Sequence, residues 1–248
     1  VQQAGETVAA VIANGIIPGG FEMMDNAAIR AAEDFAHAGY PLDAAAILIC
    51  ELDGIEEEIE PQLERLQALL REYGAVDIQR AADEAERIRF WSGRKNAFPA
   101  VGRLSPDYYC MDGTIPRYQI ASVLTRISEL SDQYALPIVN VFHAGDGNLH
   151  PLILYDANID GELDRTEELG GKILEICVEA GGTITGEHGV GLEKRDLMGL
   201  VFSPIDLDAQ ARLREAFDPD GVLNPGKILP AGSRCYDYGM EPLPEVIS

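Results

Sequence analysis

Residues 140–152 read NVFHAGDGNLHPL, and this stretch predicts a β-hairpin. An Asp-Gly pair between two apolar runs favours a tight turn, because such turns need positive φ at their central residues. With Asp146 and Gly147 at the turn, counting outward brings His143 opposite His150. Directly opposed side chains have Cβ atoms about 4.5–5.5 Å apart on one face of the sheet. The hairpin therefore predicts two neighbouring imidazoles, a pair that can bind one divalent ion.

The elements around the hairpin follow the order β-α-β-β-α-β. The expected strands are 107–112, 137–143, 149–155 and 182–186, and the expected helices are 116–134 and 161–179. This order is that of the split βαβ, or ferredoxin-like, unit. We therefore predict an α+β fold in which helices cover an antiparallel sheet.

The first half of the chain is a looser version of the same alternation. The expected helices are 4–14, 25–37, 55–73 and 82–95, and the expected strands are 20–24, 45–52 and 76–80. The unbroken apolar run AAILICEL (45–52) is typical of a buried strand. Pro61 means that the third helix either begins at that residue or bends there.

Two prolines and a glycine mark residues 96–106 as the best internal boundary. This segment is the predicted linker between a first α/β half (1–95) and a second, ferredoxin-like half with its C-terminal tail (107–232). The tail has a short helix expected near 207–216, followed by a stretch dense in turn residues.

Charge and composition limit the classes of function. The 248 residues carry 19 basic and 42 acidic side chains, a net charge of −23, with an ordinary apolar fraction of 46%. Such a field repels phosphate backbones and anionic lipid, so nucleic-acid binding is not expected. An anionic substrate would need a local positive centre.

The compartment and the ends of the chain are also matters of expectation. The four cysteines, Cys50, Cys110, Cys177 and Cys235, are widely scattered, which favours free thiols in a reducing cytoplasm over a disulfide framework. No apolar run is long enough to span a membrane, and no signal-peptide pattern is present. The opening VQQAGETVAAVIANG lacks Met and is already in helical register, which suggests a fragment.

A third ligand for the histidine pair is available in GTITGEHGVGLEKRDLM (182–198), where Glu187 lies between glycines. Two histidines and one carboxylate are a recurring ligand set for catalytic zinc or non-haem iron. In a regular split βαβ unit the last strand runs away from the hairpin. Five regular residues in strand 182–186 would then carry Glu187 roughly 16 Å from the two histidines. The triad of His143, His150 and Glu187 therefore requires this strand to be short or irregular.

The residues alone leave three functions open. A metal-dependent hydrolase could use the triad to activate a water molecule, an oxidoreductase could use it to bind substrate, and a ferredoxin-like domain could be a non-catalytic interaction module. Nucleophile-elbow, P-loop and dinucleotide fingerprints are absent from the sequence.

Five segments together resemble one family. They are HAGDGNLHP (143–151), GEHGVGLEKRDLM (186–198), FDPDGVLNPGKILP (217–230), IIPGGFEMMD (16–25) and LICELDG (48–54). They resemble, in the right order and along nearly the whole chain, segments of the C-terminal cap domain of FAD-linked 2-hydroxy-acid oxidoreductases. That family includes D-lactate dehydrogenase, D-2-hydroxyglutarate dehydrogenase and one of the subunits of glycolate oxidase.

The resemblance implies roles for individual residues. His143, His150 and Glu187 match the family's divalent-metal ligands, with zinc as the expected ion. His188 matches the proposed general base, and Arg94 in WSGRKNAF matches an arginine that binds the substrate carboxylate. Asn224 and Lys227, in the NPGK motif, look like the family's closing motif near the flavin.

The resemblance also implies a context for the chain. The FAD-binding domain of the family lies N-terminal to the matching region, so the expected chain is a cap that is inactive alone. Its expected substrate is glycolate or D-lactate, because Leu152 stands where relatives acting on 2-hydroxyglutarate tend to have Asn. Partner subunits of the glycolate oxidase type are expected, with a cytoplasmic location that such partners could bring to the membrane periphery.

Overall fold

The computed structural model describes residues 1–230, apart from the side chain of Glu56. The helices are α1 (Gln2–Ala13), α2 (Asn26–Ala36), α3 (Glu56–Glu72), α4 (Glu84–Lys95), α5 (Ala97–Val101), α6 (Ile120–Tyr134), α7 (Glu162–Glu179) and α8 (Pro204–Phe217). Short 3₁₀ segments cover Arg117–Gln119 and Arg195–Leu200. Tail residues 231–232 and Cys235, which entered the predictions above, lie outside the described residues.

Seven strands form a five-stranded sheet and a small two-stranded one. They are β1 (Gly20–Asp25), β2 (Ala46–Glu51), β3 (Asp107–Cys110), β4 (Gly113–Thr114), β5 (Ile138–Phe142), β6 (Asn148–Leu149) and β7 (Pro151–Tyr155). The large sheet has the order β2-β1-β5-β7-β3, and all neighbours are antiparallel. β4 pairs with β6. The predicted α+β class with an antiparallel sheet is confirmed.

One sheet runs through both halves of the chain. β1 of the first half pairs with β5 of the second half, with Met23 opposite Phe142. The segment 96–106, predicted as a linker, contains helix α5, in which Ala97, Ala100 and Val101 are buried. A residue on β1 can therefore touch a residue on β5, which is what the site described below requires.

Helices cover both faces of the large sheet. Alternate residues of β7 point to opposite cores, because side chains alternate along a strand. Ile153 joins the core built with α1, α6 and α7, whereas Leu152 and Leu154 join the core built with α2 and α5. In α6 the buried residues recur at helical spacing, which turns one stripe of the helix toward the sheet; they are Ile120, Val123, Leu124 and Ile127.

Capping residues fix where two of these helices begin. The Asp25 carboxylate accepts a hydrogen bond from the amide of Ala28 at the start of α2. At the start of α8, Ser203 and Asp206 form a reciprocal capping box, with Pro204 at the first helical position.

Two predictions in the first half need correction. Residues 76–80 form no strand, and Val76 is 98% exposed, so this short stretch has no core to bury an apolar face against. Strand 45–52 was predicted as buried, but β2 is at the sheet edge and all six of its residues are only partly buried. The predicted helix 55–73 is confirmed as α3, and of the two alternatives for Pro61 a start at that residue is excluded, because Pro61 lies in the interior of the helix.

In the second half, the expected strand 182–186 is reduced to one bridge. The amide and carbonyl of Thr183 exchange hydrogen bonds with those of Thr114, at 3.0 and 3.1 Å. After this residue the chain leaves the sheet. The remaining elements of the β-α-β-β-α-β order, β3, α6, β5, β7 and α7, are present.

Candidate functional site

The hairpin forms, but with a register that differs from the prediction. The β5–β7 pairing continues to a bridge between His143 and Asn148, so His143 does not lie opposite His150. Two extra residues occupy the turn, where Gly147 has a φ of +74° and its amide donates to the Ala144 carbonyl. An Asp-Gly pair thus predicted the hairpin correctly but not the length of its turn.

The two imidazoles nevertheless lie side by side. A shift of two residues keeps a side chain on the same face of a strand, whereas a shift of one residue would reverse it. The ring centroids of His143 and His150 are 5.3 Å apart, with the planes 80° to each other. The predicted proximity of the histidine pair therefore holds as a diagonal contact.

Glu187 comes back to this pair because the last strand is broken. Its Oε1 lies 3.6 Å from Nε2 of His143 and 3.4 Å from Nε2 of His150. Gly186 permits the approach, since a Cβ at this position would lie 2.3 Å from Oδ1 of Asn148. The objection that a regular strand would hold Glu187 far away is removed by the irregular backbone after Thr183.

A buried carboxylate shapes the loop that carries Glu187. Asp112 has no exposed surface and accepts hydrogen bonds from the amides of Gly186, Glu187 and His188, at 2.9 to 3.2 Å. The Thr185 hydroxyl donates to the same carboxylate at 2.8 Å. Amides that would have joined a strand ladder are satisfied by one side chain instead.

Lys194 balances the charge of Asp112. Its ammonium is buried, and it lies 3.1 Å from Oδ2 and donates to the Asp112 carbonyl oxygen at 2.8 Å. Burial alone would raise the pKa of Asp112. The surrounding polar groups, led by the His150 imidazole at 3.4 Å and the His188 amide, hold the pKa of this carboxyl well below its usual range.

His150 is the most enclosed member of the group. Its side chain is 3% exposed. Nε2 lies 3.4 Å from Oδ1 of Asp112 without a well-formed hydrogen bond, and Nδ1 has no hydrogen-bond partner among the described residues. The ring stacks on His188 with centroids 5.0 Å apart, and it meets Phe98 edge to face at 5.9 Å. A buried imidazole with no partner is costly unless something else occupies it.

These distances fit a divalent cation. Zinc bound at about 2.0–2.2 Å from each of its ligands places tetrahedral ligand atoms about 3.3 Å apart. One ligand atom from each of His143, His150 and Glu187 lies within 4.8 Å of the others. Asp112, His150 and His188 form a second, overlapping group of the same kind. A cation would also give the unpartnered nitrogen of His150 a ligand role.

A second carboxylate joins His143 to the predicted substrate arginine. Glu22 of β1 lies 2.7 Å from Nδ1 of His143 through Oε1, and its Oε2 accepts from Nε of Arg94 at 2.9 Å. This hydrogen bond raises the pKa of His143, against the opposing effect of burial. Because an ionised carboxylate can only accept, Nδ1 of His143 carries the proton and Nε2 faces the cluster.

The structure brings together most of the residues singled out in the sequence. His143, His150, Glu187, His188 and Arg94 lie in one connected group, with Nε2 of His188 at 3.9 Å from Oε1 of Glu187. Asn224 and Lys227 lie in the exposed turns after α8, where their carbonyl oxygens accept from Arg214. Within residues 1–230, neither side chain contacts the histidines.

Sequence reasoning missed three residues of this site. Glu22, Asp112 and Lys194 are all at most 9% exposed in their side chains. Charged side chains are rarely buried unless paired, so an acid inside a predicted apolar strand is a signal that could have found two of them. Glu22 interrupts the apolar run of GFEMMD, and Asp112 is in the predicted strand 107–112, whereas Lys194 gave no such signal.

No helix among the described residues has the length and apolar character needed to cross a membrane.

The fold and the site together define a class of protein. Residues 1–228 match the model of the C-terminal domain of FAD linked oxidases, and the chain belongs to that family.

Individual relatives agree with this assignment. The chain is 62% identical to glycolate oxidase subunit GlcD of Escherichia coli K12, over 96% of this chain and 48% of that protein. It is 37% identical to GlcD of Bacillus subtilis, over 94% and 50% of the two chains. A probable mitochondrial D-lactate dehydrogenase of Danio rerio is 30% identical, over 92% and 46%. The chain thus spans about half the length of these relatives.

Solved structures support the fold. The 4-ethylphenol oxidase of Gulosibacter chungangensis, in an isoeugenol complex, superposes with a TM-score of 0.62 at 14% identity, covering 91% of this chain and 50% of that one. p-Cresol methylhydroxylase with substrate bound gives 0.59 at 13% identity, over 92% and 50%. At these identities the likeness concerns the fold alone.

Proposed function

We propose that this chain is the substrate- and metal-binding part of a flavin-dependent oxidoreductase. In this proposal the enzyme oxidises a small 2-hydroxy acid, glycolate or D-lactate, to the 2-oxo acid. One observation carries the proposal: in a member of the FAD-linked oxidase family, Oε1 of Glu187 lies within 3.6 Å of Nε2 of both His143 and His150, although Glu187 comes from a different segment. The names of the relatives, which include glycolate oxidase and D-lactate dehydrogenase, support the substrate class.

The metal ligands in this proposal are His143, His150 and Glu187. They leave a position open for substrate, as three-ligand catalytic sites do. Zinc is the proposed ion, because imidazole nitrogens and a carboxylate oxygen at these separations suit its tetrahedral preference. The side chain of Glu187 is 53% exposed, so substrate can approach the cluster from this side.

Arg94 is the proposed partner of the substrate carboxylate. Its side chain is 10% exposed, and only Nε is taken by Glu22. Its two Nη groups make no hydrogen bond to residues 1–230 and can form a bidentate fork with a carboxylate. In a chain of net charge −23, this guanidinium supplies the local positive centre that an anionic substrate needs.

His188 is the proposed general base for the hydroxyl proton of the substrate. Its side chain is 44% exposed. Its position is fixed by stacking on His150 and by the hydrogen bond that its backbone amide donates to Asp112. Histidine is the side chain used most often as a general base, and an exposed imidazole is accessible to substrate. The bound flavin would supply the acceptor for the hydride that leaves the α-carbon.

The size of the substrate is proposed from Leu152. Its side chain is fully buried in the core with α2 and α5, so it offers no polar group to a second carboxylate. This favours a monocarboxylate such as glycolate or D-lactate over 2-hydroxyglutarate.

The remaining context is proposed from the relatives. A FAD-binding part outside the matching region would provide the flavin, with Asn224 and Lys227 near it. Partner subunits are proposed because the GlcD relatives are named as subunits. A cytoplasmic location is proposed because Cys50, Cys110 and Cys177 are unpaired. The division into halves at 96–106 also remains a proposal.

We also propose the ferredoxin-like class for the second half of the chain. The order β5-β7-β3 and the placement of α6 and α7 against one core support it. The bridge of Thr183 to Thr114, just after β3, occurs where the fourth strand of that unit would lie.

The experiment that tests this function uses the flavin-loaded enzyme containing this chain. We expect it to oxidise glycolate or D-lactate, to lose activity when a chelator removes its metal, and to regain activity with Zn²⁺. Elemental analysis of the same samples should follow the activity. Full oxidation by metal-free enzyme would contradict the metal role, and hydrolysis without flavin would contradict the reaction class.

A further inference from the structure

One buried acid contacts both a proposed metal ligand and the proposed substrate arginine. Glu22 lies on β1, between β2 and β5, with its side chain 9% exposed. Its Oε1 is 2.7 Å from Nδ1 of His143, and its Oε2 is 2.9 Å from Nε of Arg94. Both carboxylate oxygens are therefore used, each on a different residue of the site.

We propose that Glu22 is a positioning residue that sets metal affinity and substrate binding together. The inference rests on the proposed function, since it assigns Glu22 a role toward the same metal and the same substrate carboxylate. Glu22 itself touches neither the reacting atoms nor the metal position, and it acts through His143 and Arg94.

The contact with His143 selects the form of the imidazole that can bind a cation. Because Nδ1 donates to Glu22, the lone pair of the neutral ring lies on Nε2, which faces Glu187 at 3.6 Å. A carboxylate behind a metal-bound histidine fixes the tautomer and the ring orientation and raises the basicity of the ligand. His143 needs this support because its side chain is 33% exposed, unlike the enclosed His150.

The contact with Arg94 sets the direction of its fork. The guanidinium is planar, so holding Nε on Glu22 fixes the orientation of that plane and leaves the end that carries the two Nη groups free for another acceptor. The amide of Arg94 is also held, because it donates to the Tyr40 hydroxyl at 3.0 Å. Glu22 further offsets the cost of burying the arginine charge, which would be high for an unpaired guanidinium.

Because one carboxylate makes both contacts, a single substitution at Glu22 can disturb both of them. A neutral amide in place of the acid offers one oxygen acceptor and one nitrogen donor. If the oxygen stays on His143, the nitrogen meets Nε of Arg94, which is also a donor. Substitution of Glu22 by Gln therefore breaks one of the two contacts and removes the charge that strengthens the other, while keeping the side-chain volume.

The experiment compares Glu22→Gln with a matched control, Glu51→Gln. Glu51 lies on the neighbouring strand β2 and also pairs with an arginine of α4, with Oε2 at 2.8 Å from Arg87. It makes no contact with the histidines of the described chain. Zn²⁺ alone is titrated into each 248-residue protein by calorimetry, and KM for glycolate and D-lactate is measured in the flavin-loaded enzyme.

For Glu22→Gln we expect the Kd for Zn²⁺ to rise about 10- to 100-fold, the usual cost of removing such a partner. We expect KM to rise with it, while Glu51→Gln leaves both unchanged. Glu22→Asp keeps the charge but is one methylene shorter, so it should restore one of the two quantities and not both. This variant also serves if Glu22→Gln does not fold.

Unchanged Zn²⁺ affinity or unchanged KM in Glu22→Gln, with a wild type that binds Zn²⁺, overturns this inference and leaves the proposed function intact. Equal losses in Glu51→Gln also overturn it, because the effect would then be one of general stability. A wild-type chain that binds no Zn²⁺ overturns the metal role and the Glu22 role together. The wild-type titration thus separates the two failures.

Discussion

The imidazole of His143 lies 5.3 Å, centroid to centroid, from that of His150, although His143 bridges across the hairpin to Asn148. The histidine contact is diagonal on one face of the strands, where side chains two residues apart remain neighbours. The site therefore depends on which face these residues occupy and tolerates a turn longer than the one predicted.

Removing either His150 or Glu187 should abolish metal binding. His150→Ala removes the buried ligand and Glu187→Ala removes the carboxylate that faces both imidazoles at 3.4 and 3.6 Å. The measurement is elemental analysis after dialysis. His37→Asn is the control, since His37 ends α2 with a φ of +50°, which Asn tolerates. Equal metal content in the wild type, the two alanine variants and the control would show that the triad does not bind the metal.

Asp112→Asn should destabilise the fold. The amide cannot accept from every donor that now converges on Asp112, and it leaves the buried Lys194 ammonium without a counter-charge. Breaking a buried pair in this way costs about 3 kcal/mol in the free energy of unfolding. Urea denaturation would measure it, with Asp132→Asn on the exposed side of α6 as control. A loss no larger than that of the control would refute this role of Asp112.

Gly186→Ala should weaken metal binding without removing a ligand. The added Cβ would lie 2.3 Å from Oδ1 of Asn148, which is buried, so the loop carrying Glu187 must shift. We expect at least about a tenfold rise in the Kd for Zn²⁺, because ligand geometry governs affinity. In Gly199→Ala the added Cβ meets nothing within 4 Å, and this variant should titrate like the wild type. Equal Kd values in both variants would contradict the close approach.

Arg94→Met should raise KM in the flavin-loaded enzyme while its FAD content stays the same. Losing a charged contact to the substrate carboxylate costs at least about tenfold, or about 1.4 kcal/mol. Arg89→Met, on the exposed side of the same helix, is the control, since Arg89 pairs only with Glu86 among charged groups of the described chain. An unaltered KM would remove Arg94 from the substrate site.

The described cysteines should react slowly in the folded protein. Burial raises the pKa of each thiol, Cys50, Cys110 and Cys177, to about 12. At about pH 8 only about one thiol in ten thousand would then be ionised, and the thiolate is the reactive form. Iodoacetamide labelling of a Cys235→Ser variant should therefore be slow when folded and fast when unfolded by guanidinium. Comparable rates in the two states would contradict the burial of these thiols.

The raised pKa values of these thiols also determine how the stability of the fold changes with pH. Unfolded thiols lose their protons from about pH 9 upward, whereas the folded thiols keep theirs until about pH 12. The unfolded state then binds fewer protons, so the contribution of these groups to stability falls as the pH rises through this window. Urea denaturation at increasing pH would measure that fall.

Local patterns predicted a large part of this fold. The helices of the second half and strands β3, β5 and β7 follow from apolar periodicity and turn residues, which act over a few positions. The failures are non-local. Residues 76–80 alternate like a strand but have no neighbour to pair with, and residues 182–186 do not continue the ladder because Asp112 takes the amides of residues 186–188.

The site was predictable where its residues share a segment or a motif. His143 and His150 share a hairpin, and Glu187 lies in a glycine-rich loop beside it. Glu22 was not predictable, because its contact with His143 spans 121 positions and depends on β1 lying next to β5. The number of turn residues in the hairpin was also hidden, since Gly147 allows more than one turn geometry.

Because the chain leaves the sheet after Thr183, the residues on the two sides of the site are held in different ways. Glu22 lies on the central strand β1, and His143 directly follows the central strand β5. Neither residue can move without disturbing both cores. Glu187 lies on a loop that is held by the amides of residues 186–188, which donate to Asp112. An ion in the proposed site would thus have one ligand, His143, fixed by the sheet, and another, Glu187, whose position depends on a single buried carboxylate.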